Sequence, residues 1–400
     1  MSQDLIKNRD IVIVGQQAWD IQIGSNCKNL AVEFSKYNRV LYVNPPLDRI
    51  TKIKDKKDPF ISKRINVVNK VIRCLTKQFE NLWELNPDRT IESVNWIRFR
   101  PLFRYLNKRN NIRFASSIKR AMKELDFKNV ILFNDNDIFR SFYLKELLSP
   151  QVSVYYSRDY MLAVDYWRYH GMQLEPELIE KSDVIVANSI YLANYCKKYN
   201  PRSFYVGQGC DLTLFKDDSN LHVPKELEEI KTPIIGYVGA VSTSRLDIDI
   251  LVHIAREKPE WQVVLVGPAD DQFKNSELNV MKNVHFIGHV PESRLPSFIK
   301  GFDVCLNPQL LNELTIGNYP RKIDEYLAMG KPVVATLTEA MGTFSEFVYL
   351  ATSKEEYVRF IGDALSNNST ELIEARKLFA SSHTWTNSVA EIYKAINSTV

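Results

Sequence analysis

Around position 320 the chain places two cations and a carboxylate at a spacing suited to a phosphorylated, hydroxyl-bearing ligand. In NYPRKIDEYLAMGKPVVAT, residues 318–336, Arg321 and Lys322 stand at the start of a helix and Glu325 lies one turn further in. Pro320 announces that helix, Met329-Gly330 stops it, and Lys331-Pro332 turns the chain into the apolar run Val333-Val334-Ala335. A helix start that faces a cleft favours anions, because its free N–H groups and the positive end of its dipole point outward. Arg321 and Lys322 add mobile positive charge. Glu325 would be repelled by phosphate, so its expected part is to accept hydrogen bonds from sugar hydroxyls, such as those of a ribose.

These residues need a scaffold, and the order of apolar runs predicts one. Val12–Gly15, Val40–Asn44, Val130–Asn134, Val152–Tyr156 and Val184–Asn188 are short runs of the buried-strand kind. A second series comprises Ile234–Gly239, Val263–Gly267, Val284–Gly288, Val304–Asn307 and Val333–Thr336, separated by amphipathic stretches such as Ile248–Arg256. Strand and helix in alternation predict parallel sheets covered on both faces, hence two doubly wound α/β domains with ligands at the strand C-termini. The polar stretch Lys216–Lys231, with Asn220 and Pro224, reads as the linker between them. Four hundred residues of ordinary apolar and charged content suit that organisation. No internal repeat or low-complexity tract is visible.

The second series resembles a known family, the retaining GT-B glycosyltransferases of family 4, of the polysaccharide and teichuronic-acid biosynthesis type. The resemblance rests on PRKIDEYLAMGKPVVAT, on IIGYVGAVSTSRLDIDIL from Ile234, on WQVVLVGP from Trp261 and on NVHFIGHVPESRLPSFIKGFDVCLNP from Asn283. The first half matches more loosely, through VIVGQQAWDIQIGSNCKNLA, RVLYVNPP, SDVIVANS and GQGCDLTLF. It implies a GT-B fold, two Rossmann-like domains facing each other across a cleft. The implied limits are 1–215 for the acceptor-side domain, 216–231 for the linker, 232–383 for the nucleotide-sugar domain and 384–400 for a helix crossing back to the first domain. Trp385, Val389, Ile392, Tyr393 and Ile396 give that last segment helical spacing.

The resemblance also implies roles. Glu325 would anchor the nucleotide ribose, Arg245 and Lys322 the pyrophosphate, and Gly239 would admit the phosphates to the backbone. The Gly288-His289-Val290 turn resembles the family's base-binding loop, so His289 and Val290 would hold the nucleobase through backbone groups. Two departures stand out: Gly317 occupies the position of the family's earlier glutamate, and Ala240 that of its first arginine. The donor-sugar contact must then differ, and Lys322 matters more. Transfer would be retaining and metal-free, with no cofactor beyond the nucleoside-diphosphate sugar. The closest approach to a metal motif is Asp135-Asn136-Asp137 after a strand. Asp159, in YYSRDYM, is the candidate general base; it serves equally as a helix cap, as does Asp165. Gly24 and Ser25, in GQQAWDIQIGSN, border the phosphates by resemblance or form a plain turn; the G-x-G-x-x-G spacing is absent.

Charge points to a partner. Residues 52–123 hold nineteen Lys/Arg against six Asp/Glu, whereas the whole chain carries only +4. Aromatics interleave with that charge in WIRFRPLFRYL, from Trp96 to Leu106. The segment reads either as an anionic-membrane surface serving a polyprenyl-diphosphate-linked or glycan acceptor, or as a solvated basic face whose aromatics belong to the core. Nucleic acid is disfavoured, since no reader module accompanies the patch. No stretch approaches the roughly 18 apolar residues of a membrane span, and MSQDLIKNRD has no apolar signal core, so a cytoplasmic location, peripheral at the membrane, is expected. Five scattered cysteines without a CxxC suit reduced, structural thiols. The alternatives are a nucleotide-sugar epimerase or hydrolase of the same fold, or a silent scaffold of a glycan-assembly complex.

Overall fold

A computed structural model describes residues 5–20, 24–216 and 221–399. The chain forms two compact units, Met1–Gly207 with Trp385–Val400, and Gln208–Thr384. Asn220 of the expected linker and residues 21–23 of the expected GQQAWDIQIGSN loop lie outside the described residues.

The first unit is built on an eight-stranded sheet. Its strands are β1 (Asp10–Gly15), β2 (Arg39–Val43), β3 (Leu75–Phe79), β4 (Leu82–Leu85), β5 (Ile131–Asp135), β6 (Val152–Ser157), β7 (Val184–Ala187) and β8 (Ser203–Tyr205). Their spatial order is β3-β4-β2-β1-β5-β6-β7-β8. All pairs are parallel except the β3–β4 hairpin at the edge. β1 is buried along its whole length, as expected of a strand covered on both faces. Strand order reverses between β1 and β5, where Gly15 pairs with Asp135.

The closing helix Trp385–Asn397 belongs to this unit. Val389, Ile392, Tyr393 and Ile396 enter the core formed with β1, β2 and the helix Asn26–Ser35. Thr386 donates to Glu33 at 2.9 Å, and the Tyr393 hydroxyl accepts from Asn38 at 2.8 Å.

The second unit has six parallel strands, β9 (Ile234–Val238), β10 (Gln262–Val266), β11 (Val284–Gly288), β12 (Val304–Asn307), β13 (Val333–Thr336) and β14 (Tyr349–Ala351). They lie in the order β11-β10-β9-β12-β13-β14, so strand order reverses between β9 and β12. In open α/β sheets such a switch point opens a crevice at the strand carboxyl ends. The stretch expected as a linker falls within this unit: Leu227 is buried in its core, with Leu221 and Ile230 packed against it. Its polar composition hid these three apolar anchors. Within the same unit Cys210 pairs with Thr384, and the Cys210 N–H donates to the His383 carbonyl at 2.9 Å.

Candidate functional site

Three neighbouring strands of the second unit end in glycines of positive φ: Gly239 after β9 (φ +128), Gly267 after β10 (φ +146) and Gly288 closing β11 (φ +82). Left-handed or mirror-extended backbone of this kind suits glycine alone. The strand ends also approach closely. The Gly239 N–H donates to the Val266 carbonyl and the Gly267 N–H to the Gly288 carbonyl, at 2.9 and 2.8 Å. A β-carbon at Gly267 would lie 1.9 Å from the Gly239 carbonyl oxygen.

The helix predicted after Pro320 spans Lys322–Ala328, seven residues, with Arg321 as the residue before it. It abuts the end of β9 through Tyr326, whose hydroxyl accepts from the Val238 N–H at 2.9 Å. Lys322 folds back over Tyr237, its ammonium 3.9 Å from the ring centroid and 2.5 Å from the hydroxyl it donates to. A side chain at Gly239 would collide with it, since a β-carbon there would lie 2.9 Å from the Lys322 Nζ. Gly239 and Lys322 thus share one small space at the switch point.

Glu325 sits half-buried on the same helix. Burial raises its pKa to about 7 against the opposing pull of Arg321 and Lys322; Asp324 and Glu292 push it up further. Among the described residues no group donates a hydrogen bond to its carboxylate. Glu292, one of the charges that raise the Glu325 pKa, stands just past the turn after β11, where His289 is exposed and Val290 buried. Arg245 lies exposed on the loop after β9, with no ion-pair partner among the described residues. That loop is pinned from two sides: Asp270 accepts from the Thr243 N–H at 2.7 Å, and the Arg245 carbonyl accepts from the Leu310 N–H at 2.8 Å.

Gly239, Lys322, Arg321, Glu325, Arg245, His289 and Val290 therefore all fall in the second unit. Gly24 and Asp159 belong to the first. Gly24 is exposed beside Ser25, which caps the helix Asn26–Ser35 and donates to Gln17 at 2.5 Å. Asp159 accepts from Arg158 at 2.5 Å, and the same guanidinium donates to the buried Asp135 at 2.8 Å. Asp137 accepts from Arg140 at 2.9 Å and from the N–H groups of Phe139 and Arg140. An internal arginine thus holds each aspartate of the expected metal-like run.

The sequence reading missed the groups that hold these residues. Tyr237 and Tyr326 read only as apolar strand and helix positions. Asp324, fully buried, accepts from His383 Nδ1 at 2.5 Å and from the Cys210 thiol at 3.1 Å. Burial and that neighbouring carboxylate push the thiol's pKa well up. Those partners lie 59 and 114 residues away, so no local spacing announces them.

Residues 232–367 match the family described as Glycosyl transferases group 1. That match lies within the second unit, and the fold is GT-B. Over 231 residues the chain is 24% identical to a protein of Bacillus subtilis (strain 168) provisionally named a teichuronic acid biosynthesis glycosyltransferase, TuaH. That match covers 55% of this chain and 58% of TuaH, so the chain spans little more than half of the relative's length. Among solved structures, sucrose-phosphate synthase from Thermosynechococcus elongatus superposes with a TM-score of 0.66 at 14% identity, over 98% of this chain and all of that one. HepE of Anabaena in complex with UDP gives 0.65 at 13% identity, with the same coverage. HepE has also been solved with UDP-glucose, at a TM-score of 0.63 and 14% identity over the same spans. These superpositions show the GT-B fold.

Proposed function

We propose that this chain is a retaining, metal-independent glycosyltransferase that moves a sugar from a nucleoside-diphosphate donor to a cell-surface polysaccharide or lipid-linked glycan. The meeting of Lys322 and Gly239 at the β9/β12 switch point, with Glu325 on the same helix and all three within the stretch that matches the group 1 glycosyl transferases, carries the reading. Lys322, with Arg245 and the backbone N–H groups around Gly239, would take the diphosphate and stabilise it as it leaves. Each charge-assisted hydrogen bond contributes about 1.5–3 kcal/mol. Glu325 would accept from the ribose hydroxyls, and the backbone at His289 and Val290 would face the base. The binding of UDP-glucose by HepE supports a donor of this class.

Retention fits the departing phosphate as the group that takes the acceptor proton. Asp159 serves poorly as a base while Arg158 holds its carboxylate. Membrane association fits residues 96–105: Trp96, Phe99, Leu102 and Tyr105 recur every third residue and are 44–73% exposed, with Arg98 and Arg100 between them. Of that segment's aromatics only Phe103 is buried in the core, which favours the membrane-surface reading over the solvated basic face. Among the described residues no helix is long and apolar enough to cross a membrane.

Thermal shifts against UDP, GDP, ADP and CMP, with and without EDTA, test the donor. Stabilisation by one nucleoside diphosphate, insensitive to EDTA and lost in Glu325→Ala, is expected. The anomeric configuration of the product, read by NMR, tests retention. Release of free or isomerised sugar without any glycan would replace transfer by hydrolysis or epimerisation. Silence toward every nucleotide would turn the departures at Gly317 and Ala240 into signs of a scaffold.

A further inference from the structure

The helix Lys322–Ala328 carries Lys322, Asp324 and Glu325, and of these charges only Asp324 has no part in the donor contacts proposed above. It is fully buried, and each of its oxygens has a donor: His383 Nδ1 at 2.5 Å and the Cys210 thiol at 3.1 Å. His383 and Cys210 are also joined to each other, since the Cys210 N–H donates to the His383 carbonyl at 2.9 Å. Asp324, His383 and Cys210 therefore close a ring of hydrogen bonds within the second unit.

That ring takes in both ends of the unit. Cys210 stands just after the chain leaves the first unit at Gly207, and His383 just before it returns there at Trp385. The imidazole is seated among aromatic rings, with centroids 4.6 Å away at Phe379, 5.9 Å at Phe344 and 6.4 Å at Tyr319. The Tyr319 hydroxyl lies 3.2 Å from the same Nδ1, and Tyr319 immediately precedes Pro320, where the chain turns into the helix.

An apolar set of the same volume would often hold a core as well or better, because it gives up no hydration. What a hydrogen-bonded carboxylate adds is direction, and this helix lacks other sources of it. Its seven residues make only about two turns, and no side chain caps its N-terminus. Lys322 and Glu325, three apart, share one face, whereas Asp324 lies about 200° round the axis from Lys322. Asp324 thus holds the helix from the side away from the face that meets Gly239.

We propose that Asp324, His383 and Cys210 are positioning residues: their ring locks the donor helix to both crossings of the chain, so that the aim of Lys322 and Glu325 is coupled to the crossings. The proposal rests on the nucleoside-diphosphate reading of the site. The three act through the helix and touch no nucleotide themselves. Coupling is reciprocal, so a ligand that fixes Lys322 and Glu325 tightens the ring, and loosening the ring weakens the ligand.

The test uses the full chain, calorimetry against UDP, GDP and ADP, and two graded pairs of substitutions measured well below their unfolding midpoints. His383→Asn keeps an N–H donor near the Nδ1 position and His383→Leu removes it; Cys210→Ser keeps a donor and Cys210→Ala removes it. The nucleoside diphosphate that the unmutated chain binds should lose about tenfold in affinity in His383→Leu and about threefold in Cys210→Ala, with most of each loss recovered in His383→Asn and Cys210→Ser. Urea midpoints taken in parallel separate positioning from folding. A ring that only stabilises would shift those midpoints and leave the affinity of folded molecules unchanged, which would overturn the proposal, as would equal affinity in His383→Leu and His383→Asn. Hydrogen exchange on the unmutated chain serves where a variant fails to fold: the bound nucleotide should slow exchange about tenfold in 208–212 and 380–384. Exchange there that ignores the nucleotide overturns the coupling. No nucleotide binding by the unmutated chain would sink the donor reading and this one together, whereas binding that the variants leave intact sinks this one alone.

Discussion

Gly267 packs against Gly239 so tightly that a β-carbon on the first would lie 1.9 Å from the carbonyl oxygen of the second. With φ at +146, any side chain at 267 is strained twice, by its backbone and by that contact. Gly267→Ala should therefore destabilise the second unit by at least 2 kcal/mol, on the order of other backbone-strain and overpacking changes. It should also displace the backbone around Gly239. Urea unfolding and nucleotide titration would measure the two effects. An alanine variant as stable as the parent contradicts the packing.

Glu325 predicts a pH profile for donor binding. Burial raises its pKa to about 7, so the carboxyl changes charge across the neutral range, and in the role proposed above it is the charged form that accepts from ribose hydroxyls. Nucleotide affinity should rise between pH 6 and 8 with release of a proton, and Glu325→Gln should bind weakly at every pH. Calorimetry in two buffers of different ionisation enthalpy reads the proton directly. Affinity that falls over this range would mean that the protonated acid is the binding form.

Lys322 and Tyr237 can be separated. Lys322→Met should weaken a nucleoside diphosphate about ten- to a hundredfold while leaving the bare nucleoside unaffected, because only the phosphates lose a charged donor. Tyr237→Phe keeps the ring under the ammonium and loses one hydrogen bond, so its cost should stay within about tenfold. A uniform loss for nucleoside and nucleotide would place Lys322 outside the phosphate site.

The Asp324–His383 pair makes a stability prediction. Removing the imidazole leaves a fully buried carboxylate with, among the described residues, only the Cys210 thiol as donor. His383→Ala should cost about 3 kcal/mol, in line with breaking buried polar pairs. Adding Asp324→Asn should recover part of that cost, because an amide needs no counter-charge. A double variant no better than His383→Ala would show that shape matters here and charge does not.

Glu175 supplies the pH dependence of folding. It is buried in the first unit, accepts from Tyr155 at 2.8 Å and from Tyr195 at 3.2 Å, and burial raises its pKa to about 7. The folded chain keeps a proton that the unfolded chain loses above its ordinary value of 4.5. Stability is therefore fullest below pH 4.5 for this group and declines as pH rises from there through 7, by on the order of 3 kcal/mol. Glu175→Gln should flatten that part of the curve and gain most above pH 7. Denaturant melts from pH 5 to 8.5 would show it.

Legibility followed burial. β1, β9 and β13 could be read from the sequence because strands covered on both faces must be apolar throughout. The β3–β4 hairpin escaped notice since LTKQF is half-exposed at an edge and carries no apolar run. β8 and β14 are three residues each, too short for a periodic signal. Glu325 and Lys322 were visible as charges in the first turn of a helix whose remaining residues, Asp324 apart, suit a core. Tyr237, Tyr326 and the Asp324–His383–Cys210 set were not, because their partners are set by tertiary packing and their residue types suit a core equally well.

Cys210 and Thr384 lie side by side, one just after the chain enters the second unit and the other just before it leaves. The second unit is thus an insert whose two ends meet, and such inserts tolerate transplantation. Residues 208–384 form a natural cassette. Exchanged whole between homologous chains, it would carry Gly239, Lys322 and Glu325 with it, while the host kept its own sheet and its basic surface, so the two units could evolve as separable modules.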